Sequence, residues 1–207
     1  MHSGKIKFIL DFDDFAPVMP GMDNLLSLKE HFPNFKCTCF TSAFSMSIIT
    51  RQIDVSKMKE WFGLVKQYPW IEIAPHGFVH QKGEGMTKDA KSSEIFVTAI
   101  ENLFKENKIN FVKVFKAPFW EMSEHLEKEL FKRGYTIALN RDDPMSYTDA
   151  PKYVYNWSID EPIPDYHTIK GHGHVYGTNN GLNFCLPNLL KIPQSAEFLT
   201  IGEYLKL

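Results

Sequence analysis

The stretch that decides the fold lies near the start of the chain and reads IKFILDFDD at residues 6–14. Its first half, Ile6 to Leu10, is a mostly apolar run with the length of a buried strand. The second half is an acidic cluster, Asp11-Phe12-Asp13-Asp14. We therefore expect a buried strand that leads directly into ionisable side chains.

The same pattern recurs along the chain. Three further apolar segments are followed directly by Pro75-His76, by Lys116-Ala117-Pro118 and by Gly171-His172-Gly173-His174. Because the working residues of a (β/α) barrel collect at the carboxyl ends of its parallel strands, we expect these four groups to share one rim.

Helical patterns separate the apolar segments. We predict helices near residues 22–31, 54–67, 89–106 and 123–133, with Asp54 and Ser123 as N-caps and Gly134 just beyond a helix end. A further short helix is predicted near residues 188–190. Strand–helix alternation indicates an α/β domain with a parallel sheet. About seven strands in a single domain, residues 1–207, favour a closed or nearly closed barrel over an open sheet.

Composition excludes several classes of protein. The net charge is −2 with mixed signs along the chain, so nothing indicates a nucleic-acid partner. No apolar run reaches the roughly 20 residues needed to span a bilayer, and the start of the chain has no signal-peptide pattern. Three cysteines are an odd number for a disulfide framework, and we read Cys37 and Cys39 as small buried side chains in a reducing compartment. Together with the missing signal-peptide pattern, this predicts a cytoplasmic location.

The spacing of His76 and His80 is the sharpest local signal. Residues four apart stand on one side of a helical turn, with Cβ atoms about 6 Å apart, so both imidazoles could reach one ion. Two histidines and a carboxylate form one of the ligand sets of catalytic zinc, and the acidic cluster after the first strand could donate the carboxylate. Surface histidines also fall at this spacing, so the signal depends on its position after a strand.

With these motifs the sequence resembles the polysaccharide deacetylase superfamily, the family-four carbohydrate esterases and their relatives. Phe12-Asp13-Asp14 matches the Asp-Asp motif of that family, and His76 to His80 matches its H-x-x-x-H motif. Lys116-Ala117-Pro118-Phe119-Trp120 stands where the family has Arg-x-Pro-aromatic, and either His172 or His174 stands for its late histidine. The motifs occur in order along essentially the whole chain.

The resemblance implies a distorted (β/α) barrel of about seven strands with a divalent metal ion. Asp14, His76 and His80 would hold the ion, most simply Zn²⁺, although Co²⁺, Ni²⁺ or Mn²⁺ also suit mixed His/carboxylate ligands. Asp13 would be the general base. A histidine across the pocket would protonate the leaving amine, and we favour His174 over His172.

Two positions depart from the family pattern. Lys116 supplies charge but not the planar fork of the arginine that orients the base. Asp11 replaces a small hydroxyl residue, and is either a supporting group or solvated. Lys116, Pro118, Trp120 and His172 are predicted to bind substrate or support the site, with Trp120 the best candidate to stack on a sugar ring and rim packing as the alternative.

These inferences predict a metal-dependent hydrolase that removes acetyl groups from N-acetylated sugars. Two enzymatic alternatives use the same site, as an O-acetyl esterase or as an amidase on a non-sugar substrate. A third alternative is a carbohydrate-binding relative without turnover, for which Lys116 is the sequence hint. The sequence does not specify an oligomeric state.

Overall fold

The computed structural model describes residues 5–16, 21–42, 55–177 and 179–207. Strands and helices alternate along these residues, as the sequence predicts. The strands are β1 (Lys7–Asp13), β2 (Cys37–Thr41), β3 (Ile71–Pro75), β4 (Val114–Lys116), β5 (Thr136–Leu139), β6 (Lys152–Val154), β7 (Trp157–Ser158), β8 (Thr168–His174) and β9 (Glu197–Leu199). The α-helices are α1 (Met22–His31), α2 (Val55–Val65), α3 (Ala90–Glu106), α4 (Glu124–Lys132), α5 (Leu182–Leu189) and α6 (Ile201–Leu205).

The described strands form two sheets in which every pairing is parallel. The larger sheet has the order β3-β2-β1-β8-β7, with β9 also paired to β1, and the smaller has the order β4-β5-β6. The predicted parallel α/β architecture is confirmed. A single closed barrel is not seen among the described strands, because no strand ladder joins the two sheets. A hydrogen bond from the Val112 N–H to the Ile73 carbonyl (2.9 Å) connects them beside β3.

The two sheets nevertheless share an apolar interior. Each of β1 to β6 contributes one buried side chain to it, and Ile201 of α6 completes the cluster: Ile9, Phe40, Ala74, Val114, Ala138, Tyr153 and Ile201. Alternate residues of a strand face the same side, so Asp11 and Asp13 follow Ile9 on the interior face of β1. The interior is therefore apolar at one level and charged at the next.

The capping residues predicted for α4 are found at its ends. Ser123 caps α4 by accepting from the Leu126 N–H, and Gly134 follows α4 with a φ of 77°. Asp89 also caps α3, which was not predicted. Asp54 lies outside the described residues. The short helix predicted near residues 188–190 is the end of the longer α5, and α6 was not predicted.

Two composition-based expectations concern burial and membranes. All three cysteines are buried and free, which agrees with the reading of Cys37 and Cys39 as small core side chains. Within the described part of the chain, no helix combines the length and apolarity needed to cross a bilayer. The cytoplasmic location stays a prediction.

Candidate active site

Strands β1 and β8 place four site residues side by side. Their parallel register pairs Asp11 with His172 and Asp13 with His174. Both strands extend further than the sequence analysis expected, so the acidic and histidine residues lie within the strand ends rather than after them. The register fixes two carboxylate–histidine neighbours at the carboxyl end of the central strand pair.

Lys116, the last residue of β4, reaches this group from the other sheet. Its Nζ lies 2.5 Å from Asp11 Oδ1 and 2.7 Å from Asp13 Oδ1, and its side chain is only 1% exposed. The rings of Phe40 and Trp120 lie beside the ammonium, with centroids 4.0 Å and 5.2 Å away. Burial alone would lower the pKa of Lys116, but the two carboxylates raise it above its usual value, so the side chain stays charged.

Asp11 belongs to this buried network. It is fully buried, and its Oδ1 also lies 2.9 Å from His172 Nδ1. The alternative that Asp11 is merely solvated is therefore wrong. Lys116 Nζ also approaches His172 Nδ1, at 3.2 Å, but the shorter carboxylate contact indicates that Nδ1 carries a proton and donates it to Asp11.

His76 and His80 come together through a loop, not through the helical turn that their spacing predicts. The described residues between β3 and α3 contain no helix, and Gly77 and His80 have φ angles of 76° and 56°. The two imidazole rings nonetheless lie 5.0 Å apart between centroids. An i,i+4 spacing is compatible with a helical turn and with this loop. The convergence of the two histidines was therefore predicted correctly, but from a helical turn that is not present.

Glu84 holds this loop closed, and the sequence analysis missed it. Its carboxylate accepts backbone N–H groups of Phe78 (3.2 Å), Val79 (2.9 Å) and His80 (3.0 Å). A Cβ atom at Gly77 would lie only 2.1 Å from Glu84 Oε1, so glycine is required there. The only sequence signal was one acidic residue in the polar, Gly-rich loop of residues 81–87.

Asp14, His76 and His80 converge as one group. Each offers one ligand atom, and these atoms all lie within 4.8 Å of one another. His80 Nε2 is 2.8 Å from Asp14 Oδ1, and His76 Nε2 is 3.9 Å from the same oxygen. Asp14 Oδ1 is buried and, despite the short contact with His80, accepts no well-aligned hydrogen bond from the described residues. A buried carboxylate oxygen that faces two imidazoles without a hydrogen bond fits a metal ion.

The orientation and charge of His76 fit the same role. Its Nδ1 lies 2.9 Å from the Lys116 carbonyl oxygen, which fixes the tautomer and turns Nε2 towards the two aspartates. Burial lowers the pKa of His76 to about 4, against the opposing effect of Asp13. The imidazole is therefore neutral near pH 7, as a metal ligand must be.

The two adjacent aspartates are both ionised. Burial would raise the pKa of Asp13, but the charge of Lys116, with the nearby histidines, lowers it well below its usual range. Burial also opposes ionisation of Asp14, but the contact with His80 outweighs it and lowers the pKa of Asp14 below its usual value. Lys116 thus stabilises the charge of Asp13, and His80 stabilises that of Asp14.

His174 occupies a more open position than His172. Its side chain is 23% exposed, against 4% for His172. His174 Nδ1 lies 2.8 Å from Asn180 Oδ1, and its Nε2 is 3.9 Å from Asp14 Oδ2. One imidazole therefore faces the opening beside the aspartates, while the other is enclosed in the network with Asp11.

The remaining predicted residues surround the site. Pro118 is buried, with its ring against Gly77. Trp120 is half-buried, lies 5.5 Å from the His172 ring and lines a neighbouring cavity of about 200 Å³. Phe119 is the more exposed aromatic residue, at 51%, and its ring lies 5.0 Å from that of His80. Stacking of Trp120 on a sugar stays a prediction.

The fold that carries this site is similar to those of several solved carbohydrate-active enzymes. The structure is similar to that of the peptidoglycan deacetylase PdaC from Bacillus subtilis, with a TM-score of 0.65–0.66, 9–10% identity, and coverage of 98% of this chain and 91% of that one. It also resembles the chitin deacetylase of Colletotrichum lindemuthianum, with a TM-score of 0.62, 12% identity and coverage of 97% and 88%. A family 4 acetyl xylan esterase from Clostridium thermocellum, solved with a cobalt ion, gives a TM-score of 0.58, 16% identity and coverage of 97% and 90%.

No family model and no curated protein matches the sequence. The structural likenesses establish that the chain has the fold of family 4 carbohydrate esterases and polysaccharide deacetylases. The resemblance drawn from the sequence motifs is thereby confirmed for the fold.

Proposed function

We propose that this protein is a divergent polysaccharide deacetylase, a metal-dependent hydrolase that removes acetyl groups from N-acetylated sugars. The observation that carries the proposal is the convergence of Asp14, His76 and His80 directly beside Asp13, in a fold whose solved examples include chitin and peptidoglycan deacetylases. Asp13 is held in place by Lys116 at 2.7 Å.

Asp14, His76 and His80 are the residues that would hold the metal ion. A bound ion supplies Lewis acidity for attack on an acyl carbonyl. Zinc is our first choice because His₂-carboxylate is one of its catalytic ligand sets, with Co²⁺, Ni²⁺ and Mn²⁺ as alternatives. The cobalt ion in the acetyl xylan esterase structure supports a metal role for this fold.

Asp13 acts as the general base. Lys116 occupies its Oδ1, which leaves Oδ2 to accept a proton from the attacking water. Its lowered pKa keeps the carboxylate ionised throughout the neutral range. Lys116 thus both orients the base and keeps it charged, in place of the arginine that orients the base in the family that the sequence resembles.

His174 is the general acid. Its hydrogen bond with Asn180 orients the ring, and its greater exposure supports a role in protonating a leaving amine. His172 instead positions Asp11 and Lys116 behind the base. Phe119 and Trp120 offer apolar faces to the sugar ring.

Acetate release from a panel of acetylated compounds tests the proposal. Chitooligosaccharides, peptidoglycan fragments and acetylated xylan would each be incubated with metal-free protein, with protein carrying one equivalent of Zn²⁺ or Co²⁺, and with loaded Asp13→Asn. We expect the metal-loaded protein to release acetate from an N-acetylated sugar, and we expect loaded Asp13→Asn to release none. Release from xylan alone would favour the O-acetyl esterase alternative, which the acetyl xylan esterase neighbour also supports. Sugar binding without acetate release would favour the non-catalytic alternative.

A further inference from the structure

A second group of ligand atoms lies next to the first. Asp13, His172 and His174 each offer one atom, and these atoms lie within 4.8 Å of one another. Two of the three residues are buried, and His174 is half-buried. The group shares no residue with Asp14, His76 and His80, so both groups could be occupied at once.

Both histidines of this group are oriented as metal ligands are. A ligating histidine almost always donates its other ring N–H to a carboxylate or carbonyl oxygen, which fixes the ring and its tautomer. His172 Nδ1 lies 2.9 Å from Asp11 Oδ1, and His174 Nδ1 lies 2.8 Å from Asn180 Oδ1. The Nε2 atom of each ring is therefore left with a lone pair for an ion.

The carboxylate of Asp13 supplies the third ligand atom. Its Oδ1 accepts from Lys116, whereas its Oδ2 lies 3.9 Å from His172 Nε2, too far for a hydrogen bond. Two ligands of one zinc ion, each about 2.1 Å from it, are separated by about 3.4 Å in tetrahedral geometry. The gap between Asp13 and His172 is thus close to the width that an ion would bridge.

The charges around this group should make it bind a cation more weakly than the group of Asp14, His76 and His80 does. Lys116 already neutralises Asp13 and would repel a second cation, whereas the ion pairs of Asp14 with described residues are to histidines. An ion in the first group would repel the second as well. The first group should therefore fill before the second.

We propose that Asp13, His172 and His174 bind a second divalent cation of the zinc or cobalt class, more weakly than Asp14, His76 and His80 bind the first, and that this cation inhibits the enzyme. It would take the free oxygen of the base and the Nε2 atom of the acid, so neither could exchange a proton with substrate. The inhibitory consequence rests on the proposed function, whereas the binding does not.

Titration of the metal-free protein with Co²⁺ tests the binding, with equilibrium dialysis for stoichiometry and visible absorption for coordination. We expect two ions per chain, the second at least about tenfold weaker. His172→Gln and His174→Gln should each retain the tight ion and lose the weak one, whereas His80→Gln should weaken the tight one. His125→Gln, at an exposed position of α4, serves as a matched control and should bind two ions.

Binding of a single ion up to millimolar Co²⁺ would overturn the proposal, as would a weak ion that persists in both His172→Gln and His174→Gln. Retention of the tight ion shows that a variant is folded. If His172→Gln is not folded, His174→Gln and His80→Gln decide between the two groups. Two bound ions without acetate release on any substrate would support the second cation site and contradict the proposed function, so the two failures are distinguishable.

Discussion

The ammonium group of Lys116 lies 2.7 Å from Oδ1 of Asp13, and both side chains are buried. The same ammonium group contacts Asp11, so one cation serves two buried carboxylates that neighbour each other on β1. Removing one partner of a buried ion pair leaves uncompensated charge in a medium of low dielectric constant. The integrity of the site therefore depends on this lysine.

Lys116→Met should lower the free energy of unfolding by about 3–5 kcal/mol, because it leaves two carboxylates buried without their cation. Urea denaturation of the metal-free protein measures the loss. Lys128→Met is the matched control, since Lys128 pairs with Glu124 at the surface and should cost less than about 1 kcal/mol. Equal losses in the two variants would show that the buried network contributes little to stability.

Asp13→Asn and Asp14→Asn should separate the base from the metal ligand. Asp13→Asn should retain one equivalent of Zn²⁺ and lose acetate release, because only the proton acceptor is removed. Asp14→Asn should weaken binding by more than the roughly 10–100-fold that loss of a supporting group costs. Metal content after dialysis and acetate release measure both effects. Equal metal loss in the two variants would mean that the roles are exchanged.

His174→Ala should slow amide cleavage by about 10²–10⁴ while largely sparing an activated aryl acetate, whose leaving group departs without a proton. His172→Ala should give a smaller and similar loss on both substrates, because His172 supports Asp11 and Lys116. Rates would be measured with one equivalent of metal. An amide-selective loss in His172→Ala alone would reverse the assignment, and no selectivity in either variant would place the acid elsewhere.

Glu84→Gln should weaken metal binding by about 10–100-fold, as is typical when the support of a ligand is lost. The carboxylate accepts three successive backbone N–H groups, and an amide directs its own N–H₂ at some of them. Dialysis against Zn²⁺ at a temperature where the variant is folded gives the affinity. Glu121→Gln, which alters a loose surface pair with Lys82, should leave affinity unchanged. Unchanged affinity in Glu84→Gln would show that the loop does not need this brace.

The sequence predicted the parallel architecture and the convergence of Asp13, Asp14, His76 and His80 because both follow from strand order. Parallel strands bring their carboxyl ends to one edge, so residues at those ends meet wherever the strands pair. The order of the motifs along the chain then indicated which of these residues correspond to the site residues of the deacetylase family. No knowledge of individual contacts was needed for this part of the site.

The contacts of Asp11 and Glu84 could be identified only from the structure. Asp11 and Lys116 are 105 positions apart on strands of different sheets, and no local pattern shows that they face each other. Glu84 acts through a loop whose backbone adopts positive φ at Gly77 and His80, which spacing alone does not reveal. The helical turn expected at His76 was wrong for the same reason.

The pairing of Asp11 with His172 spans 161 residues of chain, and this separation orders the assembly of the site during synthesis. The residues that would bind the first metal ion, Asp14, His76 and His80, leave the ribosome early. Strand β8 emerges long after them, and protein synthesis adds only about 5–20 residues per second. A nascent chain can therefore gather metal ligands seconds before it gains the histidines that neighbour the base. Under the proposed function, the site would gain its hydrolytic activity only when β8 docks on β1.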